Sequence, residues 1–156
     1  MNTSSDSRAR LWAPMDACHL AQELLHRTRR GDLRGAVALF DHEADVTPPG
    51  LVGRGRGTAA VDLCEWLAEC FPEDAPVQSE VSGRDTYAIV VFRALDGPSG
   101  EASRRRLATV LIEVGDEGGS RITRARLLAD HRRCAAIRQV ASDAREDAAR
   151  RRYLDR

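Results

Sequence analysis

Asp130 is the side chain of this sequence best suited to acid–base chemistry, because it ends an apolar, strand-like segment. Side chains alternate between the two faces of a strand, so Leu128 and Arg126 should share the face of Asp130. A carboxylate held in an apolar pocket can transfer protons near neutral pH, since burial disfavours its charged form. Asp130 also directly precedes a predicted helix, where aspartate is a favoured N-terminal cap. The sequence leaves both roles open.

Aromatic side chains are the next candidates. Trp66 and Tyr87 could line a pocket, because an aromatic wall with one polar handle suits a polycyclic ligand. Packing in the core is the alternative explanation for each. His131 adjoins Asp130, but neighbours in a strand point to opposite faces. The predicted catalytic residue is therefore Asp130 and not His131.

The histidines and cysteines lack the spacing of a metal site. No Cys-x-x-Cys pair and no zinc-finger spacing occurs among the four cysteines, which are Cys18, Cys64, Cys70 and Cys134. His42 forms a polar cluster with Glu43 and Asp45, but a metal there would need ligands from elsewhere. We therefore expect structural thiols, no metal and no diffusible cofactor.

Charge excludes other classes of function. The 156 residues include 24 arginines, no lysine and 24 acidic residues. Schiff-base chemistry and a phosphate-loop lysine are therefore impossible, and zero net charge does not attract nucleic acid or an anionic membrane. No apolar run approaches the roughly 18 residues of a membrane span, and the N-terminus lacks an apolar signal core. We expect a cytoplasmic protein that binds neither nucleic acid nor membrane.

A glycine-rich loop with Gly53, Gly55 and Gly57 precedes one predicted helix. Such a loop could cradle phosphate on its backbone amides. No buried strand precedes it and no lysine follows it, so a plain loop is the alternative.

Hydrophobic periodicity predicts three helices in the first half of the chain. The first begins after Asp16, the second after Asp32, and the third lies between Thr58 and Pro72. A short extended segment, residues 41–47, separates the second helix from the third. These helices come before all the longer strands, which indicates an α+β fold.

From residue 77 the pattern changes to that of strands. Four apolar segments separated by turn residues predict consecutive antiparallel strands at 77–81, 87–95, 107–114 and 122–129. The two middle strands are apolar on both faces, so a partner subunit or the C-terminal segment should cover the second face. The sequence pattern of residues 131–156 predicts a helix, and we expect this helix to lie on the sheet.

Several short motifs follow one another in a fixed order. They are Gly31-Asp32-Leu33, Ala38-Leu39-Phe40, Ala44-Asp45-Val46, Gly57-Thr58-Ala59-Ala60-Val61, Arg121-Ile122-Thr123-Arg124 and the terminal Asp130. Over residues 16–131 the series resembles the nuclear-transport-factor-2-like superfamily, and within it the SnoaL-like polyketide cyclases and ketosteroid isomerases. The resemblance implies a cone, in which a strongly curved antiparallel sheet wraps around three N-terminal helices and encloses a deep apolar pocket.

The resemblance also suggests how the chain is organised. We expect a flexible N-terminal arm at residues 1–14, a SnoaL-like domain at 15–131 and a C-terminal helical extension at 132–156. Dimers are common in this family. A homodimer formed through the open face of the sheet would cover the second apolar face.

Most of the family's catalytic positions hold other residues here. The tyrosine donor of the isomerases corresponds to Leu24, their aspartate base to Pro48, and their protonated aspartic acid to the region of Leu111. The water-binding tyrosine of limonene-type epoxide hydrolases corresponds to Val46. Asp130 matches the terminal aspartate of those hydrolases and the general acid/base of the SnoaL-like cyclases. The groups needed for steroid isomerisation in that form are missing.

The resemblance and the residues together predict a cofactor-independent cyclase or isomerase of bacterial, polyketide-like biosynthesis. It would work in an apolar pocket, mainly by orienting its small-molecule substrate. Asp130 would be catalytic. The substrate-binding residues would be Trp66, Tyr87, Leu24, Val46, Leu111, Arg126 and Leu128. The alternative is a non-catalytic ligand-binding or dimerisation module of the same fold.

Overall fold

A computed structural model describes residues 16–47, 58–96, 101–115 and 121–155. In chain order the elements are α1 (Ala17–Arg29), α2 (Leu33–Val37), β1 (Phe40–Val46), α3 (Ala59–Cys70), β2 (Val77–Arg84), β3 (Tyr87–Asp96), β4 (Glu101–Val114), β5 (Ile122–Ala129) and α4 (His131–Leu154). They form a mixed α+β fold with a curved, unclosed sheet, which is the predicted fold class. The predicted arm at 1–14, Pro48 and the glycine loop with Gly53, Gly55 and Gly57 lie outside the described residues.

Aspartate caps begin the first two helices where the sequence places them. The Asp16 carboxylate accepts a hydrogen bond from the backbone N–H of His19 at 2.8 Å, and Asp32 accepts one from Gly35 at 2.9 Å. Gly31 lies between the helices with φ of 75°, a left-handed conformation that favours glycine. These caps satisfy backbone donors that a helix start otherwise leaves unpaired.

None of the helices in the described ranges has the length and apolar character needed to cross a membrane.

The five strands form one sheet in the order β1-β5-β4-β3-β2. The predicted antiparallel pairing of consecutive strands is confirmed for β2 with β3, β3 with β4 and β4 with β5. The sequence did not indicate that β1 pairs in parallel with β5, with Val46 opposite Ala125. This pairing connects the two ends of the domain and makes β1 an edge strand.

The β2–β3 hairpin fixes the start of α1. Arg84 and Tyr87 are paired, and Asp85 and Thr86 form the turn between them. The carbonyl of Asp85 accepts a hydrogen bond from the backbone N–H of Ala17 at 3.1 Å. One of the backbone N–H groups that the first turn of a helix leaves unpaired is therefore hydrogen-bonded to the turn of the hairpin.

The inner face of the sheet packs against α1 and α3 to form the core. Its large, fully buried side chains come from both layers and include Leu20, Leu24, Leu63, Leu67, Val90, Phe92, Val110 and Ile112. Burying one such side chain stabilises a fold by about 1.5–3 kcal/mol relative to leaving it exposed. The sheet therefore curves around α1, which supplies one wall of the core.

A bulge in β4 explains part of its two-sided apolar pattern. Phe92 is opposite Ala108, whereas the next residue, Arg93, is opposite Arg106, which leaves Leu107 without a partner strand residue. Leu107 and Ala108 are both buried. An unpaired residue at a bulge changes the alternation of side chains, so two consecutive side chains enter the core.

Helix α4 contacts the sheet at its first turn, where the Cys134 thiol donates a hydrogen bond to the Leu107 carbonyl of β4 at 3.4 Å, but it does not lie along the sheet as expected. It runs along α3, with His131 against Trp66, Arg138 paired with Glu69 at 3.0 Å, and Arg145 paired with Asp74. Cys134 and Ala141 are its buried residues. The three residues of α4 that make these contacts are seven positions apart, about two helical turns, so they lie on one side of the helix. The outer face of the sheet is left without cover from this helix.

Candidate functional site

The structure divides the residues predicted to bind substrate between opposite sides of the sheet. Leu24, Val46 and Trp66 lie on the side of the helices, where Leu24 is only 1% exposed. Around Leu24 the described side chains pack into the core, with Val110 and Phe92 also at 1% exposure. Close packing of this kind leaves no room for a ligand at Leu24 itself.

Four other predicted residues face outwards. Tyr87 and Leu128 are 39% and 74% exposed, and Leu111 is partly exposed opposite Arg126. Arg126 donates a hydrogen bond to Asp45 at 3.0 Å and another to the hydroxyl of Thr47 at 3.0 Å. The expectation that Arg126 and Leu128 point into the cone placed them on the wrong face, because their inward neighbours are Ala125 and Leu127.

Asp130 caps α4, which is one of the two roles left open. One carboxylate oxygen accepts a hydrogen bond from the backbone N–H of Arg133 at 3.2 Å, and the other pairs with the Arg133 guanidinium at 3.2 Å. Its side chain is 45% exposed. Both carboxylate oxygens of Asp130 thus have partners in the first turn of the helix, as is typical of a residue that caps a helix N-terminus.

The end of the cone beside the start of α4 brings a different set of residues together. The rings of Trp66 and His131 meet edge to face with centroids 6.0 Å apart. Trp66 also contacts Phe71 edge to face at 5.6 Å, and Phe71 stacks on Phe92 at 4.2 Å. An aromatic series therefore runs from the core to a solvent-exposed imidazole.

Inward-facing apolar residues of two strands lie at this same end. Val46 ends β1, and Leu127 and Ala129 are the last inward-facing residues of β5. Val46 and Leu127 are each 9% exposed, so they lie at the margin of the core. We define Val46, Trp66, Leu127, Ala129 and His131 as the cone-end site. Its chemistry is that of an apolar wall with one titratable polar group.

His131 is the member of this set that sequence reasoning missed. Strand alternation placed its side chain opposite to that of Asp130, but β5 ends at Ala129 and His131 begins α4. The change from strand to helix turns its ring towards α3. The available signal was the predicted helix cap at Asp130, because a cap makes the following residue the first residue of the helix.

The cysteines do not offer reactive groups at this site. Burial raises the pKa of the Cys64 thiol to about 12, that of Cys70 to about 11 and that of Cys134 to about 12. All four cysteines are free thiols. Within residues 16–47, 58–96, 101–115 and 121–155, no group of three or more His, Cys, Asp or Glu side chains is placed to hold a metal ion.

Comparisons with known proteins support the fold. No family model matches this chain, and no curated protein matches it significantly. A protein from Silicibacter pomeroyi with a cystatin-like fold is 16% identical, with a TM-score of 0.51 over 93% of this chain and 97% of that one. A protein from Kribbella flavida is 17% identical, with a TM-score of 0.52 over 83% and 98%.

The solved structures that are similar to this chain also include an enzyme. The Delta 5-3-ketosteroid isomerase from Mycobacterium sp. is 19% identical, with a TM-score of 0.46 over 75% of this chain and 95% of that one. The similarities to the proteins from Silicibacter pomeroyi and Kribbella flavida establish the fold of the chain and leave its activity to be argued from its own residues.

Proposed function

We propose that this protein is a small-molecule cyclase or isomerase of bacterial, polyketide-like biosynthesis, with its ligand held at the cone-end site. The observation that carries the proposal is the edge-to-face pair of Trp66 and His131 at the point where β5 ends and α4 begins. An indole wall with one adjoining imidazole suits an apolar ring system that carries a few oxygens. The cytoplasmic location and the independence from cofactors remain predictions.

The site would act mainly by orientation. An apolar wall can hold a flexible chain in a near-attack conformation, which accelerates ring closure without a strong base. Asp130 is the proposed acid/base, but both of its carboxylate oxygens are engaged by Arg133. The contribution of proton transfer should therefore be secondary to that of shape.

A binding experiment tests the site before a substrate is known. The probe is 1,2-dihydroxyanthraquinone, a planar polycycle with oxygen substituents, and affinity is measured by calorimetry. Trp66→Leu should weaken binding about tenfold or more, because it removes the aromatic wall. Tyr153→Leu is the matched control, since Tyr153 is an exposed aromatic residue on α4. Equal affinity in the wild type and Trp66→Leu would place the ligand elsewhere and refute the proposal.

The second candidate function is a non-catalytic binding or dimerisation module. The burial of Leu24 favours it, because a side chain that is only 1% exposed does not line an open substrate pocket. So does the outer face of the sheet, where Ile89 is opposite Leu111 and Val91 is opposite Thr109. A protein that dimerises but fails to bind the polycyclic probe would support this module over the enzyme.

We further propose that the outer face forms a homodimer. The outer patch consists of Ile89, Thr109, Leu111 and Leu128, which lie side by side on β3, β4 and β5. Charged residues of the same face surround it, among them Glu80, Arg84, Glu113, Arg124 and Arg126. An apolar centre with a charged rim is the usual composition of a protein–protein interface.

A further inference from the structure

The edge strand β1 contains a large bulge. Between the pairs Phe40–Ile122 and Asp45–Arg124, β1 has four residues where β5 has one. Asp41, His42 and Glu43 of this bulge are exposed. Bulges and charged side chains keep an edge strand from pairing with other chains, and this explains the polar residues. Edge protection does not require a hollow beside the bulge, however.

A cleft of about 360 Å³ lies beside this bulge. Its floor is apolar and consists of Phe40, Ala44, Val37 and Ala60, the first two of them buried. Asp41, His42 and Arg121 line its rim and are exposed. We call this hollow the bulge cleft. Its volume is near the lower end of the range of ligand sites, about 300–1,000 Å³, and suits a ligand much smaller than a polycycle.

Backbone hydrogen bonds fix the Asp41 carboxylate at the rim and the start of the strand that Arg121 precedes. Arg121 directly precedes Ile122, whose N–H donates to the carbonyl of Leu39 at 2.8 Å. The Oδ1 atom of Asp41 accepts the backbone N–H of Glu43 at 3.0 Å. Among the side chains that the structure describes, no acid forms an ion pair with Arg121. The rim therefore offers a guanidinium and a carboxylate that do not neutralise each other.

We propose that the bulge cleft binds a small zwitterion with an apolar side group, which is the chemistry of a free hydrophobic amino acid. Arg121 binds the carboxylate through its paired N–H donors, and Asp41 binds the ammonium group. The apolar floor takes the side group. A ligand with only a carboxylate would be repelled by the Asp41 carboxylate, and a ligand with only an amine would be repelled by the Arg121 guanidinium. The zwitterion satisfies both charges.

Calorimetry with three probes tests this proposal on the full chain. L-phenylalanine should bind with one-to-one stoichiometry and a Kd at or below about 1 mM. 3-Phenylpropionate lacks the amine and 2-phenylethylamine lacks the carboxylate, so each should bind about tenfold more weakly or worse. These three probes share one aromatic side group, so that differences in affinity report the two charges alone.

Two substitutions locate the binding site. Arg121→Gln and Asp41→Asn should each weaken binding of L-phenylalanine about tenfold or more. Asn at position 41 keeps an oxygen that can accept the N–H of Glu43, so the bulge should retain its shape. Arg150→Gln removes an exposed arginine of α4 and should leave affinity unchanged. Thermal midpoints equal to that of the wild type check that each variant is folded.

Three results would overturn the proposal. They are the absence of saturable binding of L-phenylalanine, equal affinity for 3-phenylpropionate, and undiminished affinity in either charge variant. The outcome is independent of the cone-end site, because none of these substitutions touches Trp66 or its neighbours. Trp66→Leu should accordingly bind L-phenylalanine as tightly as the wild type does.

Discussion

The indole ring of Trp66 on α3 meets the imidazole ring of His131 on α4 at an interplanar angle of 72°. This contact joins the first turn of the C-terminal helix to the domain. Edge-to-face aromatic pairs stabilise by about 0.5–1.5 kcal/mol beyond the area they bury. A double-mutant cycle with Trp66→Leu and His131→Leu should therefore give a coupling of that size in urea unfolding. Additive losses would mean that the rings touch without stabilising each other.

The two roles of Asp130 make different predictions. As a cap, its replacement by alanine should lower the free energy of unfolding by about 0.5–2 kcal/mol, whereas asparagine should cost almost nothing. If Asp130 acts as a general acid or base, its replacement by asparagine should lower the reaction rate about 10²–10⁴-fold. Thermal midpoints and turnover of both variants separate the roles. Full activity of a stable Asp130→Asn protein would exclude proton transfer by this residue.

Leu128 tests the proposed homodimer. Its side chain is 74% exposed in the single chain, so Leu128→Asp should leave the fold intact. In a dimer formed through the outer patch, the same change would bury a carboxylate without a partner and raise the dissociation constant about thirtyfold or more. Sedimentation at micromolar concentration measures this. Val140→Asp, at a 57% exposed residue of α4, is the control. A monomeric wild type would refute the dimer.

The pair of Asp74 and Arg145 should stabilise the docking of α4 in a pH-dependent way. Two hydrogen bonds, at 2.9 and 3.0 Å, join the guanidinium to the carboxylate and lower the pKa of Asp74. The pair stabilises the fold fully at pH values above the pKa of aspartate in the unfolded chain, about 4. This stabilisation is lost as the pH falls through the lower pKa that Asp74 has in the folded protein. Both side chains are more than half exposed, so solvent screening keeps this contribution to stability small.

A cycle of Asp74→Ala and Arg145→Ala measures this coupling by denaturant unfolding. The coupling should shrink in 1 M salt, because the Debye length there is only about 3 Å. A coupling that persists unchanged at pH 2 would contradict the ionic origin. Arg150→Ala combined with Asp74→Ala provides the control, since Arg150 is exposed and makes no contact with Asp74 in the described part of the chain.

The thiols should differ strongly in reactivity. The raised pKa values of Cys64, Cys70 and Cys134 leave almost no thiolate at pH 8, and their side chains are buried. Cys18 is only partly buried. Alkylation of the native protein should therefore modify Cys18 first, and denaturation should expose the other three. Peptide mapping after a short reaction checks the order. Cys18→Ser should remove the fast phase, and rapid labelling of Cys64 would contradict the packing of the core.

Much of the fold could be predicted from local sequence. Asp16 and Asp32 begin helices because their short carboxylates satisfy backbone donors within three residues. β5 was predicted at 122–129, the bounds it has in the structure, since turn residues precede it and Asp130 follows it. These features depend on interactions between residues that are close in the chain, so the sequence alone contains the information.

The candidate site depended on tertiary structure. β3 and β4 are apolar on both faces, so alternation could not say whether Leu111 or Val110 points inwards, and α1 decided this by packing against one face. The bulge cleft exists because β1 pairs in parallel with the distant β5, and Trp66 meets His131 because α4 runs along α3. Composition and periodicity describe each element alone. Which elements lie side by side is determined by the lowest free energy of the whole packed chain.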